Sequence, residues 1–362
     1  MTKTVSSFGN RLSLPTDVDG ITPQWLTQAL APMTGGVDVV TAEVVQIIWG
    51  TATKVRIKVE YARDPGPDVP PTQLCVKGGF DERVRQALGS AGDYGMRLEA
   101  SFFRDLAPRL DIGMPRSWFA DSDDVQGVLV FDDLGLEGRF GSPVKAWEPE
   151  LLERALVDLA RMHAQTWNVS YPDVTWLSDG AGPVRQAARQ LFSEAHWDAH
   201  FATPDAPVLP GELTDRARNL RGYEALWAHD DQAEKCLTHG DAHLGNMYVD
   251  AAGKPYFLDW AGASRCPWSY DVAYFVVGGL SISDRREHER RLIGRYLATL
   301  ADAGGPALDP QIAWEGYRRH CLHGLIWSTL PPVMQSAENV HAMSDRYVAA
   351  IVDHDPLRLL GV

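Results

Sequence analysis

Cysteine is scarce in this chain of 362 residues, and the positions of the few cysteines exclude two kinds of scaffold. The four are Cys75, Cys236, Cys266 and Cys321, which lie far apart and form no C-x-x-C pair. This spacing argues against a structural zinc site and against a disulfide framework. We therefore expect a protein of a reducing compartment, the cytoplasm.

Long apolar runs are also missing. No stretch approaches the roughly 18 consecutive apolar residues that a membrane-spanning helix needs. The amino-terminal segment has only Lys3 as an early positive charge and no apolar core of the kind found in secretion signals. The sequence predicts no membrane insertion.

Basic residues are too few for a nucleic-acid binder. Lysine and arginine total 34 against 48 aspartates and glutamates, which gives a formal net charge of -14. Binding to nucleic acid relies on basic side chains that neutralise phosphates, so nucleic acid is not expected as a partner. An acidic balance can attract a polycationic substrate, but it also simply promotes solubility.

The length and the change of periodicity predict two domains. Single cores tend to split once a chain passes roughly 250 to 300 residues. Up to Leu134 the pattern is mainly that of strands, and beyond Gly135 it is overwhelmingly helical. We place the domains at residues 20–134 and 135–362.

Alternating apolar residues predict an antiparallel sheet in the first domain. The residues from Val37 to Ile48 and from Val55 to Tyr61 favour a strand pair with one buried face. Further strands are expected at residues 73–77, 116–120 and 127–131. Before them, Thr22 and Pro23 are typical of the N-cap and first position of a short helix.

Amphipathic patterns predict the helices of the second domain. One opens at Glu148, and apolar spacing indicates others over residues 184–201, 212–229, 272–279, 284–303, 311–330 and 337–352. His163 lies on the apolar face of the first of these helices, where we expect a core histidine rather than a catalytic one.

The segment from His239 to Asp259 carries the most chemical information. Asp241 follows His239-Gly240, Asn246 comes five positions later, and Asp259 follows two short strand patterns joined by Gly253-Lys254. Phosphoryl transfer from a magnesium-bound nucleotide needs one carboxylate to orient the attacking hydroxyl and two oxygen ligands for Mg²⁺. A hairpin would bring Asn246 and Asp259 together as those ligands, with Asp241 as the catalytic carboxylate.

A zinc site at the same segment is a weaker reading. His239 and His243 are four residues apart, a spacing that binds zinc only on a helix and with a third ligand. Gly240 and Gly245 disfavour a helix there. We therefore expect both histidines to be structural.

These motifs resemble those of the aminoglycoside phosphotransferase and choline kinase superfamily, which is related to the protein kinases. The resemblance is closest to its ecdysteroid-kinase-like branch, in which Asp-Leu follows the hinge strand and Asp-x-Ala-Tyr-Phe follows the metal Asp. Here those segments read Asp133-Leu134 and Asp271-Val272-Ala273-Tyr274-Phe275. The resemblance implies an α+β, two-lobed, protein-kinase-like fold, with an antiparallel sheet and helix in the N-lobe and a mainly helical C-lobe that contains the catalytic hairpin.

The resemblance also implies an ATP site and supports for the catalytic loop. Lys77, held by Glu99, would face the nucleotide phosphates, and His239 and Asp271 would brace the loop. The remaining candidates for ATP binding are a turn that covers the phosphates and a hinge beside the adenine, comprising Gly50, Thr51, Thr53, Phe131 and Asp133. The glycine turn has a simpler reading as ordinary hairpin chemistry, and Asp271 could equally be the N-cap of the helix that follows it.

The expected activity is ATP-dependent and Mg²⁺-dependent transfer of the γ-phosphoryl group to a hydroxyl of a small molecule. The metal motif reads Asp-Trp-Ala and no Ala-Pro-Glu signal is present, which disfavours a protein substrate. An aromatic stripe toward the end of the chain would either line a pocket for an apolar hydroxylated acceptor or belong to the core; it comprises Trp314, Tyr317, His320, His323, Trp327 and Met334. The alternative is a catalytically silent kinase-fold module. The sequence does not indicate the oligomeric state.

Overall fold

The computed structural model describes two compact units within residues 12–50, 52–64, 66, 69–88 and 90–362. Unit 1 comprises Met1–Ala107 and Arg116–Leu136, and unit 2 comprises Pro108–Pro115 and Glu137–Val362.

Unit 1 is built on a five-stranded antiparallel sheet with the order β1-β2-β3-β5-β4. The strands are β1 (Val39–Ile48), β2 (Thr53–Tyr61), β3 (Gln73–Gly78), β4 (Ser117–Ser122) and β5 (Gly127–Asp132). All five predicted strands are present, with ends that differ by a few residues. The expectation of one buried face holds for β2, in which Val55, Ile57 and Val59 are buried, but β1 is mostly exposed on both faces. As an edge strand, β1 has neighbours on one side only.

Among the described residues of unit 1, three α-helices accompany the sheet. They are α1 (Pro23–Thr34), α2 (Glu82–Leu88) and α3 (Ser90–Asp105). The predicted start of α1 is confirmed, because the Thr22 hydroxyl accepts the Trp25 N–H at 3.1 Å. The core joins apolar side chains of α1 to those of β2, β3 and β5, including Leu26, Leu30, Val55, Ile57, Leu74, Val76, Val128 and Val130.

Unit 2 is mainly helical. Its helices are α4 (Pro149–Thr166), α5 (Gly182–Leu191), α6 (Glu194–Phe201), α7 (Arg216–Gln232), α8 (Trp268–Gly279), α9 (Ile282–Asp302), α10 (Pro310–His320), α11 (Ala337–His354) and α12 (Pro356–Leu359).

Four predicted helices have different bounds in the structure. The one expected over residues 212–229 is α7, which begins four residues later, at Arg216. The helix expected over residues 184–201 is two helices, because Ser193 caps the start of α6. The one expected over residues 311–330 ends as an α-helix at His320 and continues as a 3₁₀-helix, Cys321–Thr329. Helix α8 begins four residues earlier than expected, at Trp268, so Asp271 lies inside its first turns and is not its N-cap.

Five short strands position the loops of unit 2. They are β6 (Arg139–Phe140), β7 (Cys236–Thr238), β8 (Met247–Val249), β9 (Pro255–Phe257) and β10 (Ser264–Cys266). Strand β8 lies between β6 and β9, and β7 pairs with β10, in both cases antiparallel. The predicted hairpin is β8–β9.

A buried arginine joins distant parts of unit 2. The guanidinium of Arg346, on α11, donates to the carbonyl oxygens of Pro143 and Gly278 at 2.7 Å and to that of Val144 at 2.8 Å. Gly278 lies at the end of α8, where backbone carbonyls lack helical partners and carry partial negative charge. Burial lowers the pKa of Arg346. The residue thus fixes the end of α8 to the loop that precedes α4.

The sheet of unit 1 and the helices of unit 2 confirm the predicted α+β fold class. Among the described residues, no helix combines the length and the apolar character needed to span a bilayer.

Candidate functional site

The β8–β9 hairpin brings Asn246 beside the residue that precedes Asp259. Met247 pairs with Phe257, and the Leu258 N–H donates to the Asn246 carbonyl oxygen at 2.8 Å, which continues the ladder by one position. Asp259 therefore leaves the end of one strand where Asn246 enters the other. The register thus places Asp259 one residue beyond the position that pairs with Asn246.

The Asp241 carboxylate has a donor on each oxygen. The Tyr274 hydroxyl donates to Oδ1 at 3.2 Å, and the Asn246 amide nitrogen donates to Oδ2 at 3.1 Å. His243 Nε2 lies 3.6 Å from Oδ2. The side chain of Asp241 nevertheless keeps 47% of its surface exposed, so the carboxylate is both held and accessible.

The surroundings of Asp241 favour its ionised form. Desolvation raises its pKa, but the neighbouring His243, which also hydrogen-bonds to it, and the Tyr274 hydroxyl outweigh that effect and lower the pKa to about 2. A carboxylate that remains ionised near neutral pH can accept a hydrogen bond from a hydroxyl.

The orientation of the Asn246 amide follows from its partners. Its nitrogen donates to both the carbonyl oxygen and the carboxylate of Asp241, at 3.0 and 3.1 Å. Neither acceptor could serve the amide oxygen, so Oδ1 must point elsewhere. That leaves an oxygen of the type that Mg²⁺ prefers beside the hairpin end.

Asp259 has an uncommon backbone conformation for a residue with a side chain. Its φ of 60° and ψ of 70° place it in the left-handed region, where it precedes a 3₁₀ turn, Trp260–Gly262. Aspartate and asparagine tolerate this region better than most residues. The conformation turns the chain sharply at the end of β9. Among the described residues, no group of three or more histidine, cysteine, aspartate or glutamate side chains could hold a metal ion.

Asp271 holds the loop that precedes Asp241. Its two carboxylate oxygens accept the backbone N–H groups of His239 and Gly240, at 2.6 and 2.9 Å. The residue is almost fully buried, and charge-assisted bonds of this kind are stronger than neutral ones. Behind it, His163 Nε2 lies 3.4 Å from Asp271 Oδ2, and His163 Nδ1 lies 2.7 Å from the Tyr296 hydroxyl.

His239 bridges the loop and the hairpin. Its Nδ1 accepts the Asp241 N–H at 3.2 Å, which leaves Nε2 to donate to the Leu258 carbonyl oxygen at 2.8 Å. Burial is the largest influence on the imidazole and lowers its pKa. His239 is thus a neutral brace in this structure, and its ring nitrogens are occupied by backbone groups.

In unit 1, Lys77 and Glu99 form a buried ion pair. The Nζ atom lies 2.6 Å from Glu99 Oε2, and both side chains are less than 10% exposed. Lys77 lies on β3 and Glu99 on α3, so the pair joins the sheet to the helix. Sequence analysis selected both residues, but it could not show that the lysine at this strand end is buried.

The hinge candidates occupy the end of β5 and the residue after it. Phe131 is buried against the edge of Phe103, with ring centroids 4.9 Å apart. The Asp133 carboxylate accepts two hydrogen bonds from Arg56 Nε, at 2.9 and 3.0 Å. Because the side chain of Asp133 is committed to Arg56, any contact of Asp133 with a nucleotide would involve its backbone.

The candidate phosphate turn is described only in part. Thr51 lies outside the described residues. Gly50 is partly buried, and a Cβ atom there would have ordinary space. Thr53 is fully buried at the start of β2, paired with Gly78 of β3.

The aromatic stripe near the end of the chain belongs mostly to the core. Five of its six members are buried: Trp314, Tyr317, His320, His323 and Trp327. Met334 is 43% exposed. The structure therefore favours the interpretation that these residues belong to the core and do not line a pocket.

Two residues that support Asp241, Tyr274 and Trp327, were not predicted as site residues. Tyr274 was noted only as part of a motif, and Trp327 only as a member of the stripe. The indole N–H of Trp327 donates to the Tyr274 hydroxyl at 2.7 Å. The signal available in the sequence was the spacing of three between Asp271 and Tyr274, which places them on one face of a helix.

Comparison with a family model settles the family. Residues 96–320, more than half of the chain, match the model of the phosphotransferase enzyme family known as APH. This chain belongs to that phosphotransferase family. The match includes Glu99, the segment from His239 to Asp259 and α8. It does not resolve the branch, so the ecdysteroid-kinase-like assignment stays a prediction.

Several solved structures are similar to this chain at low sequence identity. A choline/ethanolamine kinase family protein from Mesorhizobium loti is 16% identical, with 93% of this chain and 97% of that chain covered and a TM-score of 0.50. Choline kinase LicA from Streptococcus pneumoniae is 12% identical, with coverage of 89% and 96% and a TM-score of 0.48. Macrolide 2'-phosphotransferase MphH from Brachybacterium faecium is 17% identical, with coverage of 91% and 97% and a TM-score of 0.44. No curated protein matches the sequence.

Proposed function

We propose that this chain transfers the γ-phosphoryl group of ATP to a hydroxyl of a small molecule. One observation carries the proposal: the Asp241 carboxylate is held by donors on both oxygens, remains accessible, and bonds directly to Asn246 at the end of the hairpin that leads to Asp259. A fixed carboxylate beside two oxygen ligands is what this reaction requires of a protein.

Asp241 acts on the acceptor. Its accessible carboxylate accepts a hydrogen bond from the acceptor hydroxyl, holds the oxygen in line with the phosphorus atom, and receives the proton as the new P–O bond forms. The family membership of the chain supports this role.

The residues at the hairpin end fit a divalent cation. Asn246 can offer Oδ1, because its nitrogen is engaged by Asp241, and Asp259 can offer a carboxylate oxygen. Mg²⁺, when bound there, would neutralise charge on the phosphates of the nucleotide. Hard oxygen ligands of this kind suit Mg²⁺ better than zinc.

We assign nucleotide binding in unit 1 to the residues selected from the sequence. Lys77, oriented by Glu99, supplies the positive charge for the phosphates, and its burial lowers the number of rotamers that binding must freeze. Phe131 and the backbone of Asp133 belong to the adenine site, and Gly50 and Thr53 to the turn over the phosphates. Thr51 shares that last assignment by its position in the sequence.

The acceptor class is a question for experiment. The aromatic stripe near the end of the chain was the argument for an apolar hydroxylated acceptor. Because the aromatic residues of that stripe are buried, they no longer support this acceptor class. A small-molecule acceptor remains our proposal, on the sequence argument against a protein substrate. The four cysteines are free, which fits the cytoplasmic location that we propose.

The test is an ATP-consumption screen over aminoglycosides, choline-like amines, hydroxy acids, sterols and acyl-CoA derivatives, with direct detection of the phosphorylated product. We expect one class to be phosphorylated and Asp241→Asn to lower kcat by roughly 10² to 10⁴ while the nucleotide still binds. Asp250→Asn is the matched control and should keep full activity, because the Asp250 carboxylate accepts hydrogen bonds from the Lys254 N–H and the Tyr256 hydroxyl within the same hairpin.

Two outcomes would contradict the proposal. Unchanged turnover in Asp241→Asn would remove the catalytic assignment. Tight binding of Mg²⁺–ATP with no product from any acceptor class would favour the catalytically silent module instead.

A further inference from the structure

Helix α8 contacts the catalytic segment at two successive levels. Asp271 binds the backbone of the loop, and one helical turn later the Tyr274 hydroxyl binds the Asp241 carboxylate itself. The first contact sets the position of the loop. The second restrains the orientation of the carboxylate to which the proposed function assigns the chemistry.

The direction of every hydrogen bond in this second contact is determined. An indole N–H can only donate, so the Tyr274 oxygen must accept from Trp327. An ionised carboxylate can only accept, so the Tyr274 proton must point to Asp241 Oδ1. The three groups therefore form a chain that runs from Trp327 through Tyr274 to Asp241, with no alternative arrangement of its protons.

Tyr274 and Trp327, which form the first part of this chain of hydrogen bonds, are buried and closely packed. Tyr274 is 5% exposed and Trp327 is 2% exposed. The Trp327 ring also meets the edge of His243, with centroids 5.2 Å apart, and the Nδ1 atom of His243 accepts the Gly245 N–H. The indole thus packs against one neighbour of Asp241 while it binds the hydroxyl of another.

We propose that Tyr274 and Trp327 are positioning residues that aim the Asp241 carboxylate at the acceptor hydroxyl. Tyr274 holds Oδ1 and Asn246 holds Oδ2, so rotation of the carboxylate is restrained from both sides. Phosphoryl transfer is sensitive to this because misplacement by about 1 Å can lower a rate by roughly 10². The inference rests on the proposed function for its kinetic readout, but the chain of hydrogen bonds can be tested without turnover.

Three conservative variants distinguish an effect on the orientation of the Asp241 carboxylate from a general effect on folding stability. Tyr274→Phe removes only the hydroxyl. Trp327→Phe removes the donor behind it. Tyr347→Phe is the matched control: its buried hydroxyl donates at 2.8 Å to the main-chain oxygen of Tyr274, and its ring stacks on Tyr274, but it does not touch Asp241.

The kinetic experiment measures kcat, both KM values and unfolding midpoints for each variant. We expect kcat of Tyr274→Phe to fall roughly 10- to 100-fold, with the KM for ATP changed by less than about twofold. Trp327→Phe should give a smaller loss, and Tyr347→Phe should retain kcat at a comparable loss of stability. Equal losses of kcat in Tyr274→Phe and Tyr347→Phe would overturn the proposal.

An NMR experiment tests the chain if the wild type shows no transfer, which would be a failure of the proposed function alone. The indole N–H resonance of Trp327 is assigned from its disappearance in Trp327→Phe. We expect it to move in Tyr274→Phe and also in Asp241→Asn, which changes the charge at the far end of the chain. A resonance that stays in place in both variants would overturn the inference even in an active enzyme.

Discussion

Gly240 and Gly262 are in backbone contact, and a Cβ atom on Gly240 would overlap the carbonyl oxygen of Gly262. Gly240 also has a φ of 83°, in the left-handed region that favours glycine. The two glycines therefore let the loop before Asp241 lie directly against the turn after Asp259. Asp241, the proposed catalytic residue, and Asp259, the proposed metal ligand, are therefore brought near each other by main-chain contact as well as by the hairpin.

We expect Gly240→Ala to lower the free energy of unfolding by roughly 2 to 5 kcal/mol, because left-handed strain of about 1 to 2 kcal/mol adds to a displacement cost of about 1 to 3 kcal/mol. Gly253→Ala is the control, since Gly253 has a φ of 80° but its nearest neighbour, Arg154 Nη1, would be 3.6 Å away. It should show the strain alone. Urea unfolding measures the free energy of both variants. Equal losses of stability would mean that the Gly240–Gly262 contact accommodates a methyl group.

Variants of the Lys77–Glu99 pair should change the free energy of unfolding and the affinity for ATP independently. Lys77→Met leaves a buried carboxylate without its partner, so it should lower the unfolding free energy by roughly 3 to 5 kcal/mol and weaken ATP binding. Lys77→Met/Glu99→Leu replaces the pair with apolar groups and should recover much of the stability but none of the ATP affinity. Calorimetric titration and urea unfolding give both quantities, and a double variant with wild-type affinity would refute the phosphate role of Lys77.

Asp259→Asn tests the metal assignment without disturbing the backbone. Asparagine also tolerates the left-handed conformation, whereas alanine would be strained at a φ of 60°. We expect the gain in ATP affinity that Mg²⁺ provides to fall by roughly tenfold or more, since one charged oxygen ligand is lost. Titrations with and without Mg²⁺ measure this gain. Identical Mg²⁺ dependence in the variant and the wild type would exclude Asp259 as a ligand.

His323 predicts a loss of stability in mild acid. Burial, followed by the charge of His320, lowers the pKa of His323 from 6.5 to about 4. Between these values the unfolded chain binds a proton that the folded chain does not, so stability falls as the pH drops from 6.5 to 4. The loss should approach roughly 3 kcal/mol. His323→Phe should flatten this part of the stability profile relative to its own value at pH 8, and an unchanged slope would contradict the assignment.

The local elements of the candidate site were predictable because their signals are local. The hairpin follows from two short strand patterns around Gly253-Lys254, and its register alone places Asn246 beside Leu258. The fold class followed from the change of periodicity near Gly135 and from the family resemblance.

The supports of Asp241 were not predictable because they depend on tertiary packing. Tyr274 reaches the carboxylate only through the orientation of α8, and Trp327 reaches Tyr274 from a 3₁₀-helix where the sequence predicted a continuous α-helix. A 3₁₀ segment turns side chains by a different angle per residue than an α-helix does. The apolar residues of β1 predicted a buried face that the structure does not show, because an edge strand can have apolar residues that stay exposed.

The guanidinium of Arg346 has a consequence for biosynthesis. It binds the Gly278 carbonyl oxygen near the end of the helix that bears Asp271 and Tyr274, yet it follows Asp241 by about a hundred residues in the chain. As the polypeptide emerges from the ribosome, the loop that holds Asp241 is made long before this anchor exists. We therefore expect the loop to acquire its final order late, only after α11 has been translated and has docked.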